Sequence, residues 1–281
     1  VKIFHNKVQL NTELALYRSE KKSIGFVPTM GSLHKGHLSL IHLAMEQCDV
    51  VVCSIFVNPT QFNDSKDFKL YPKHIDRDLQ LLRDEACSIA YIPEIEDIYP
   101  NGVTKASYPI EQLGNVLEGA FRPGHFDGVI EVVKRLFDIV GPNKAYFGMK
   151  DFQQLTVIQW MVKHFDMDIE IVPGPIVRDE SGLALSSRNE RLTPDQFQSA
   201  LKLSKGLFYI QQHYKNKVFS ELKHDVLTEL EKDPLITVEY LELANTATME
   251  VLKTTEDAKS VGVFIAANIG EIRLIDNIVL F

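Results

Sequence analysis

Two histidines three residues apart, His34 and His37, lie in the stretch Phe26-Val27-Pro28-Thr29-Met30-Gly31-Ser32-Leu33-His34-Lys35-Gly36-His37. A short apolar run, Ile24 to Val27, stops at Pro28; small residues follow, and after Gly36 a helix-like run begins with Leu38, Ile41, Ala44 and Met45. The pattern reads as strand, tight turn and helix start. A helix start presents N–H groups and a partial positive charge, which suits a phosphate. Imidazoles beside it donate hydrogen bonds to phosphate oxygens without a permanent charge. The chemistry these residue types allow is reaction at the phosphates of a nucleotide. The alternative is a strand–helix turn whose histidines cap the helix or face solvent.

Four more constellations have chemical potential. In Phe56-Val57-Asn58-Pro59-Thr60-Gln61-Phe62, Pro59 ends an apolar strand, and Asn58 and Gln61 remain at its carboxyl end. Such neutral donors and acceptors orient a carboxylate or hydroxyl without titrating, or make an ordinary Asn-Pro turn. In Tyr146-Phe147-Gly148-Met149-Lys150-Asp151-Phe152-Gln153-Gln154, Lys150 can neutralise phosphate charge and Asp151 can cap a helix or meet a ribose. Gln154 falls on the same helix face; a capped surface helix with a Lys–Asp pair is the competing reading. Leu185-Ser186-Ser187-Arg188-Asn189 offers two hydroxyls and a guanidinium, suited to a triphosphate or to a plain polar loop. Leu117-Glu118-Gly119-Ala120-Phe121-Arg122-Pro123-Gly124-His125-Phe126-Asp127-Gly128 is either a substrate-side loop or structural capping. Asp76 and Asp78 read as helix-start residues that cap and complement the dipole. No His/Cys/Asp/Glu group has the spacing of a protein-held metal site.

Alternating strands and helices must position these residues. Strands are expected at Ser23–Val27, Val50–Val57, Ser88–Ile92, Ala145–Phe147 and Asp168–Val172. Helices are expected at Asp76–Ala86, Asp127–Val140 and Asp151–Phe165. The Val50–Val57 run is almost wholly apolar and β-branched, so it predicts a strand buried on both faces. The alternation implies an α/β fold, a Rossmann-like doubly wound parallel sheet whose ligands gather beyond the carboxyl ends of its strands. The pattern changes near Pro173-Gly174-Pro175. Thr193-Pro194-Asp195-Gln196 is a capping box that starts a helix running to Tyr214, a second helix covers Phe219–Glu231, and strands follow at Thr237–Leu243, Val261–Ala267 and Glu271–Leu280. The expected division is a nucleotide- and substrate-binding domain at 1–175 and a small α+β lid domain at 176–281.

The chain has 281 residues, 45% hydrophobic and 24% charged, with a net charge of −8. That sign disfavours nucleic acid as a partner, while a local basic cluster still admits a small anion. Of the three cysteines, Cys48 and Cys53 are expected to be buried thiols, consistent with a reducing compartment. No apolar run approaches the ~18–20 residues of a membrane helix. The first residues, Val1–Asn6, hold no secretory apolar core, and the cytoplasm is the expected location.

Together and in this order, Pro28–His37, Phe56–Phe62, Gly148–Gln154 and Ser186–Asn189 resemble the pantothenate synthetase (pantoate–β-alanine ligase) family of the nucleotidyltransferase superfamily. Arg122–Gly128 and Arg273-Leu274-Ile275-Asp276-Asn277 look like that family too, so the resemblance covers nearly the whole chain. Met149 departs from it, standing where the family has Glu. The resemblance implies an AMP-forming ligase: pantoate attacks the α-phosphate of ATP, and β-alanine then displaces AMP from pantoyl adenylate. It implies an ATP site of Met30, Gly31, Ser32, Leu33, His34, Lys35, Gly36, His37, Gly148, Met149, Lys150, Asp151, Val177, Leu185, Ser186, Ser187 and Arg188. His37 is the implied proton donor, with His34, Lys150 and Arg188 also catalytic. Gln61 and Gln154 would hold pantoate, and Gln61 and Asn58 would border β-alanine. A homodimer using ATP with Mg2+ held mainly by the triphosphate is implied, with no nucleic-acid or membrane partner. The competing functions are a nucleotidyltransferase that passes AMP to a phosphorylated small molecule, and an ATP-sensing module.

Overall fold

The computed structural model describes residues 1–62, 65–103 and 106–281, with the backbone alone at 65–67 and 111. In chain order the elements are β1 (Lys2–Phe4), α1 (Lys7–Ser19), β2 (Ile24–Thr29), α2 (Lys35–Gln47), β3 (Val50–Ile55), α3 (Ser65–Leu70), α4 (Ile75–Asp84), β4 (Ile89–Tyr91), α5 (Ile95–Ile98), α6 (Glu111–Gly114), α7 (Leu117–Phe121) and α8 (His125–Val140). They continue with β5 (Lys144–Gly148), α9 (Phe152–His164), β6 (Glu170–Gly174), α10 (Pro194–His213), α11 (Phe219–Leu230), β7 (Ile236–Asn245), β8 (Val251–Leu252), β9 (Val261–Ile269) and β10 (Ile272–Val279). The chain divides into two compact units. One comprises Val1–Pro109, Gly124–Met149 and Val157–Pro175; the other comprises Ile110–Pro123, Lys150–Thr156 and Ile176–Phe281. Two short segments that precede residue 175 therefore group with the C-terminal part.

The first unit is built on a six-stranded parallel sheet of order β1-β4-β3-β2-β5-β6. All six residues of β3 are buried, as expected of an apolar strand covered on both faces. Val27, Ile41, Ala44, Val51, Cys53 and Leu82 belong to one core cluster. The chain runs outward from β2 through β3 to β4, and from β5 to β6 on the other side. The neighbours β2 and β5, paired at Gly25–Lys144 and Phe26–Ala145, thus form the switch point of the sheet. Ligands of doubly wound folds gather beyond the carboxyl ends at such a point, and there the Thr29–His37 turn and Gly148–Met149 emerge. The strand β1 and the helix α1 lie outside the expected elements: β1 has three residues and α1 buries only Leu10 and Leu14, so their periodic signal is weak. Cys53 is buried as expected, but Cys48 is only half-buried, its Sγ 3.4 Å from the Tyr146 hydroxyl.

The second unit carries a four-stranded antiparallel sheet, β10-β9-β7-β8, against which α10 and α11 pack through Leu203, Leu207, Leu222 and Val226. The capping box at Thr193 is formed as read: Thr193 Oγ1 accepts from Gln196 N at 3.3 Å, and Gln196 Oε1 accepts from Thr193 N at 3.0 Å. A bulge in β7 falls between Val238 and Tyr240. Adjacent strand residues ordinarily face opposite sides. The bulge relaxes that rule, and Glu239 and Tyr240 both reach the same buried ionic cluster: Glu239 accepts from Arg273, and Tyr240 donates to Glu118.

Candidate active site

In the first unit the site residues begin at the end of β2. Thr29 Oγ1 donates to the Ser54 carbonyl at 2.7 Å and accepts from Gly31 N at 3.1 Å, which turns the chain as it leaves the sheet. Gly31 has φ +80, and a Cβ there would lie 2.9 Å from Ile55 Cγ2 and 3.0 Å from Asp78 Oδ2. Only glycine fits that position without displacement. Ser32 follows at φ +49, a costly conformation for a residue with a Cβ. It is held by the buried Asp78 carboxylate, which accepts from Ser32 N at 2.8 Å and Leu33 N at 2.7 Å.

Asp78 therefore does something other than cap its own helix. Its carboxylate takes the Ser32 and Leu33 amides, ahead of the helix start that the sequence suggested for phosphate. Burial raises the Asp78 carboxyl from its ordinary value, and the Leu33 and Ser32 amides oppose that rise. The start of α2 is likewise engaged from within. His34 is the N-cap; its Nδ1 accepts from Gly36 N at 3.1 Å, and His37 Nδ1 accepts from His34 N at 3.4 Å. The two half-buried rings lie 4.1 Å apart between centroids. Capping and chemistry, set against each other in the sequence, are compatible here. With Nδ1 accepting, each neutral ring carries its proton on Nε2, so the cap fixes the donor tautomer.

Asn58 and Gln61 flank the short 3-10 turn Pro59–Gln61 beyond β3. The buried Asn58 amide is engaged by protein groups. Its Nδ2 donates to Thr60 Oγ1 at 2.8 Å and to the Gly128 carbonyl at 3.1 Å, and its Oδ1 accepts from Tyr99 OH at 2.9 Å. Gln61 is half-buried, and its Nε2 lies against Met30 Sδ, joining an expected pantoate residue to the histidine turn.

The second unit collects the remaining residues. Lys150 is largely buried, with Nζ 3.7 Å from the exposed Asp151 carboxylate. Its carbonyl accepts from Asn277 Nδ2 at 2.9 Å. Gln154 lies half-buried in the first turn of α9. Val177 and Leu185 meet directly, Leu185 N donating to the Val177 carbonyl at 3.0 Å. Ser186 caps the 3-10 turn Ser187–Arg191 by accepting from Arg188 N at 3.3 Å, and Ser187 is buried beneath it. Lys150, Ser186 and Asn189 line one small pocket with Leu183, Leu274 and Asp276.

Three residues of β10 organise this unit. Arg273 pairs with Glu118 through two 2.7 Å bonds, Asp276 accepts from both Arg178 Nη atoms at 2.6 and 2.9 Å, and Asn277 holds Lys150. One strand thus fixes the α7 segment, the Lys150 segment and the Arg178–Ala184 loop. Glu118 also accepts from Tyr240 OH at 2.7 Å and lies 3.5 Å from Arg122. Burial acts to raise the Glu118 carboxyl, but the Arg273 hydrogen bonds and charge, aided by Arg122 and Tyr240, outweigh it and hold the group at about 2. Burial lowers Arg122 from its ordinary value; Glu118 opposes this, and the guanidiniums of Arg188 and Arg273 add to it. Three arginines so placed favour an anion. Among the described residues, no group of three His, Cys, Asp or Glu side chains is placed to hold a metal. No described helix is long and apolar enough to cross a membrane.

The profile of the Pantoate-beta-alanine ligase family matches residues 2–279. The chain belongs to that family. It is 44% identical over 278 residues to the pantothenate synthetase of Bacteroides thetaiotaomicron, covering 99% of this chain and 98% of the relative. Its structure superposes on the crystal structure of pantothenate synthetase from Thermus thermophilus with a TM-score of 0.93 at 36% identity over the full length of both chains. The pantoate-β-alanine ligase of Francisella tularensis, complexed with β-γ ATP and β-alanine, matches with a TM-score of 0.82 at 36% identity, covering 100% of this chain and 98% of that one. For this ligase-family chain, the sequence reading missed the supports of the candidate site residues. Asp78, Glu118 and Asn277 each act across a long sequence separation, and a lone carboxylate or amide gives no local signal of its distant partner.

Proposed function

We propose that this chain condenses pantoate with β-alanine at the expense of ATP, releasing AMP and pyrophosphate. The observation that carries the reading is the reciprocally capped His34/His37 pair at the carboxyl end of β2, whose capping bonds engage Nδ1 of each ring and so make Nε2 the donor nitrogen toward a phosphate. The likeness to a ligase solved with β-γ ATP and β-alanine supports both substrates. In the first step a pantoate carboxylate oxygen bonds to the α-phosphorus and the bond to pyrophosphate breaks. His37 and His34 donate to the phosphate oxygens as charge grows, with His37 the proton donor, and Lys150 and Arg188 neutralise it. In the second step the β-alanine nitrogen attacks the acyl carbon, the bond to the AMP oxygen breaks, and the ammonium proton is lost to solvent.

Gln61 and Gln154 hold pantoate by neutral hydrogen bonds. Gln61 also borders β-alanine, while Asn58, its amide engaged by Thr60, Gly128 and Tyr99, contributes there by shaping the turn. Met30 to His37, Gly148 to Asp151, Val177 and Leu185 to Arg188 bind ATP. In this reading residues 1–175 bind ATP and pantoate, and 176–281 add the Ser186–Arg188 phosphate contacts. Magnesium enters as the counter-ion of the triphosphate. The three free thiols, Cys48, Cys53 and Cys87, suit a cytoplasmic enzyme, and the active form is a homodimer, which light scattering would register at twice the chain mass. The test is AMP release by the purified chain. Release that requires both pantoate and β-alanine supports the reading. AMP transfer to a phosphorylated acceptor, or ATP binding without AMP release, would overturn it.

A further inference from the structure

The Arg122–Gly128 motif contains a buried histidine that the proposed reaction does not use. His125, the first residue of α8, has Nδ1 2.7 Å from the carbonyl oxygen of Gln61. A carbonyl only accepts, so Nδ1 carries the proton and donates. We propose that His125 is a positioning residue for Gln61, and that the first turn of α8 is the clamp that aims the Gln61 amide at the carboxylate substrates; this rests on the reading of Gln61 given above.

Asn58 caps the Pro59–Gln61 turn at its start, accepting from Thr60 N at 3.4 Å and donating to Thr60 Oγ1 at 2.8 Å. Pro59–Gln61 is a single 3-10 turn, Pro59 has no N–H, and its closing bond, Phe62 N to the Pro59 carbonyl, is 3.5 Å long. At its Gln61 end the turn is also held from outside, by the first turn of α8. The Gly128 carbonyl accepts from Asn58, and Gly128 itself is in close approach: a Cβ there would lie 2.6 Å from the Thr60 oxygen and 3.0 Å from the Gln61 Cα. Behind these contacts α8 buries Phe126, Val129, Ile130, Val133 and Phe137, so the clamp is anchored in the core. The His125 bond fixes the peptide plane that follows Gln61, and with it the direction in which the Gln61 side chain leaves the backbone. A binding group fixed in this way loses less freedom when substrate arrives.

The test uses the full-length chain and steady-state kinetics of AMP release. His125→Leu fills the buried space without a donor; His125→Asn keeps a donor close to the backbone; Gln61→Ala is the reference. Expected is a ~10-fold rise in the pantoate KM for His125→Leu, about the loss of one buried hydrogen bond, with the ATP KM unchanged and recovery to within ~3-fold in His125→Asn. If His125→Leu does not fold, Gly128→Ala reads the same clamp through the Thr60 backbone, and the same rise in pantoate KM is expected. A pantoate KM within twofold of the parent in both the folded His125→Leu and Gly128→Ala variants, while Gln61→Ala raises it, would overturn the clamp and leave Gln61 in place. An unchanged pantoate KM in Gln61→Ala would remove the reading of Gln61 and the clamp together.

Discussion

Replacing Glu118 by glutamine keeps its shape and removes its charge, and the structure sets the size of the effect. The Glu118 side chain is 8% exposed and accepts from both Nη atoms of Arg273 and from Tyr240, with Arg122 at 3.5 Å. Its carboxyl is held at about 2, against 4.5 for an ordinary glutamate. That difference corresponds to about 3 kcal/mol of stability at neutral pH, in line with the ~3–5 kcal/mol lost when one partner of a buried ion pair is removed. Because the folded value is depressed, this stability is complete above 4.5 and is lost as the pH falls toward 2. Urea unfolding followed by far-UV circular dichroism should place Glu118→Gln about 3 kcal/mol below the parent at pH 7, with the gap reduced by more than half at pH 3. A gap under ~1 kcal/mol at pH 7, or one of equal size at both pH values, would refute the assignment of the charge to Glu118.

The remaining predictions concern catalysis and the histidine turn. His37→Ala and Lys150→Ala should each slow pantoyl adenylate formation by ~10²-fold or more, the scale of one lost transition-state donor; rapid-quench measurement of the first turnover checks this, and a near-normal rate removes that residue from the mechanism. Gly31→Ala must place a Cβ 2.9 Å from Ile55 at φ +80, so calorimetry should show at least ~1–2 kcal/mol of lost stability together with weaker ATP binding. Asn277→Ala removes the donor on the Lys150 carbonyl; kcat should fall ~10-fold through the misplaced lysine, with the β-alanine KM unchanged.

What the sequence revealed followed from the range of the interactions. The Thr193–Gln196 cap involves residues three apart, and its two bonds are formed as read. The buried β3 was legible because burial on both faces leaves an unbroken apolar run. His34 and His37 stood out by spacing, although the sequence could not say that capping would leave Nε2 to carry the proton. The supports were not legible. Asp78 lies 46 residues from Ser32 and Glu118 lies 155 from Arg273, so either carboxylate reads locally as a helix-end charge. The placement of Glu239 and Tyr240 on one cluster depends on a bulge, which breaks the two-residue period on which strand reading relies.

The central claim is that a carboxylate oxygen of pantoate bonds to the α-phosphorus of ATP, and isotope transfer tests it most directly. Pantoate labelled with oxygen-18 in its carboxylate is turned over with ATP and β-alanine, and the AMP is analysed by mass spectrometry. The account predicts one labelled oxygen in each AMP, with the pyrophosphate unlabelled. AMP without label, or label recovered in phosphate or pyrophosphate, would contradict it.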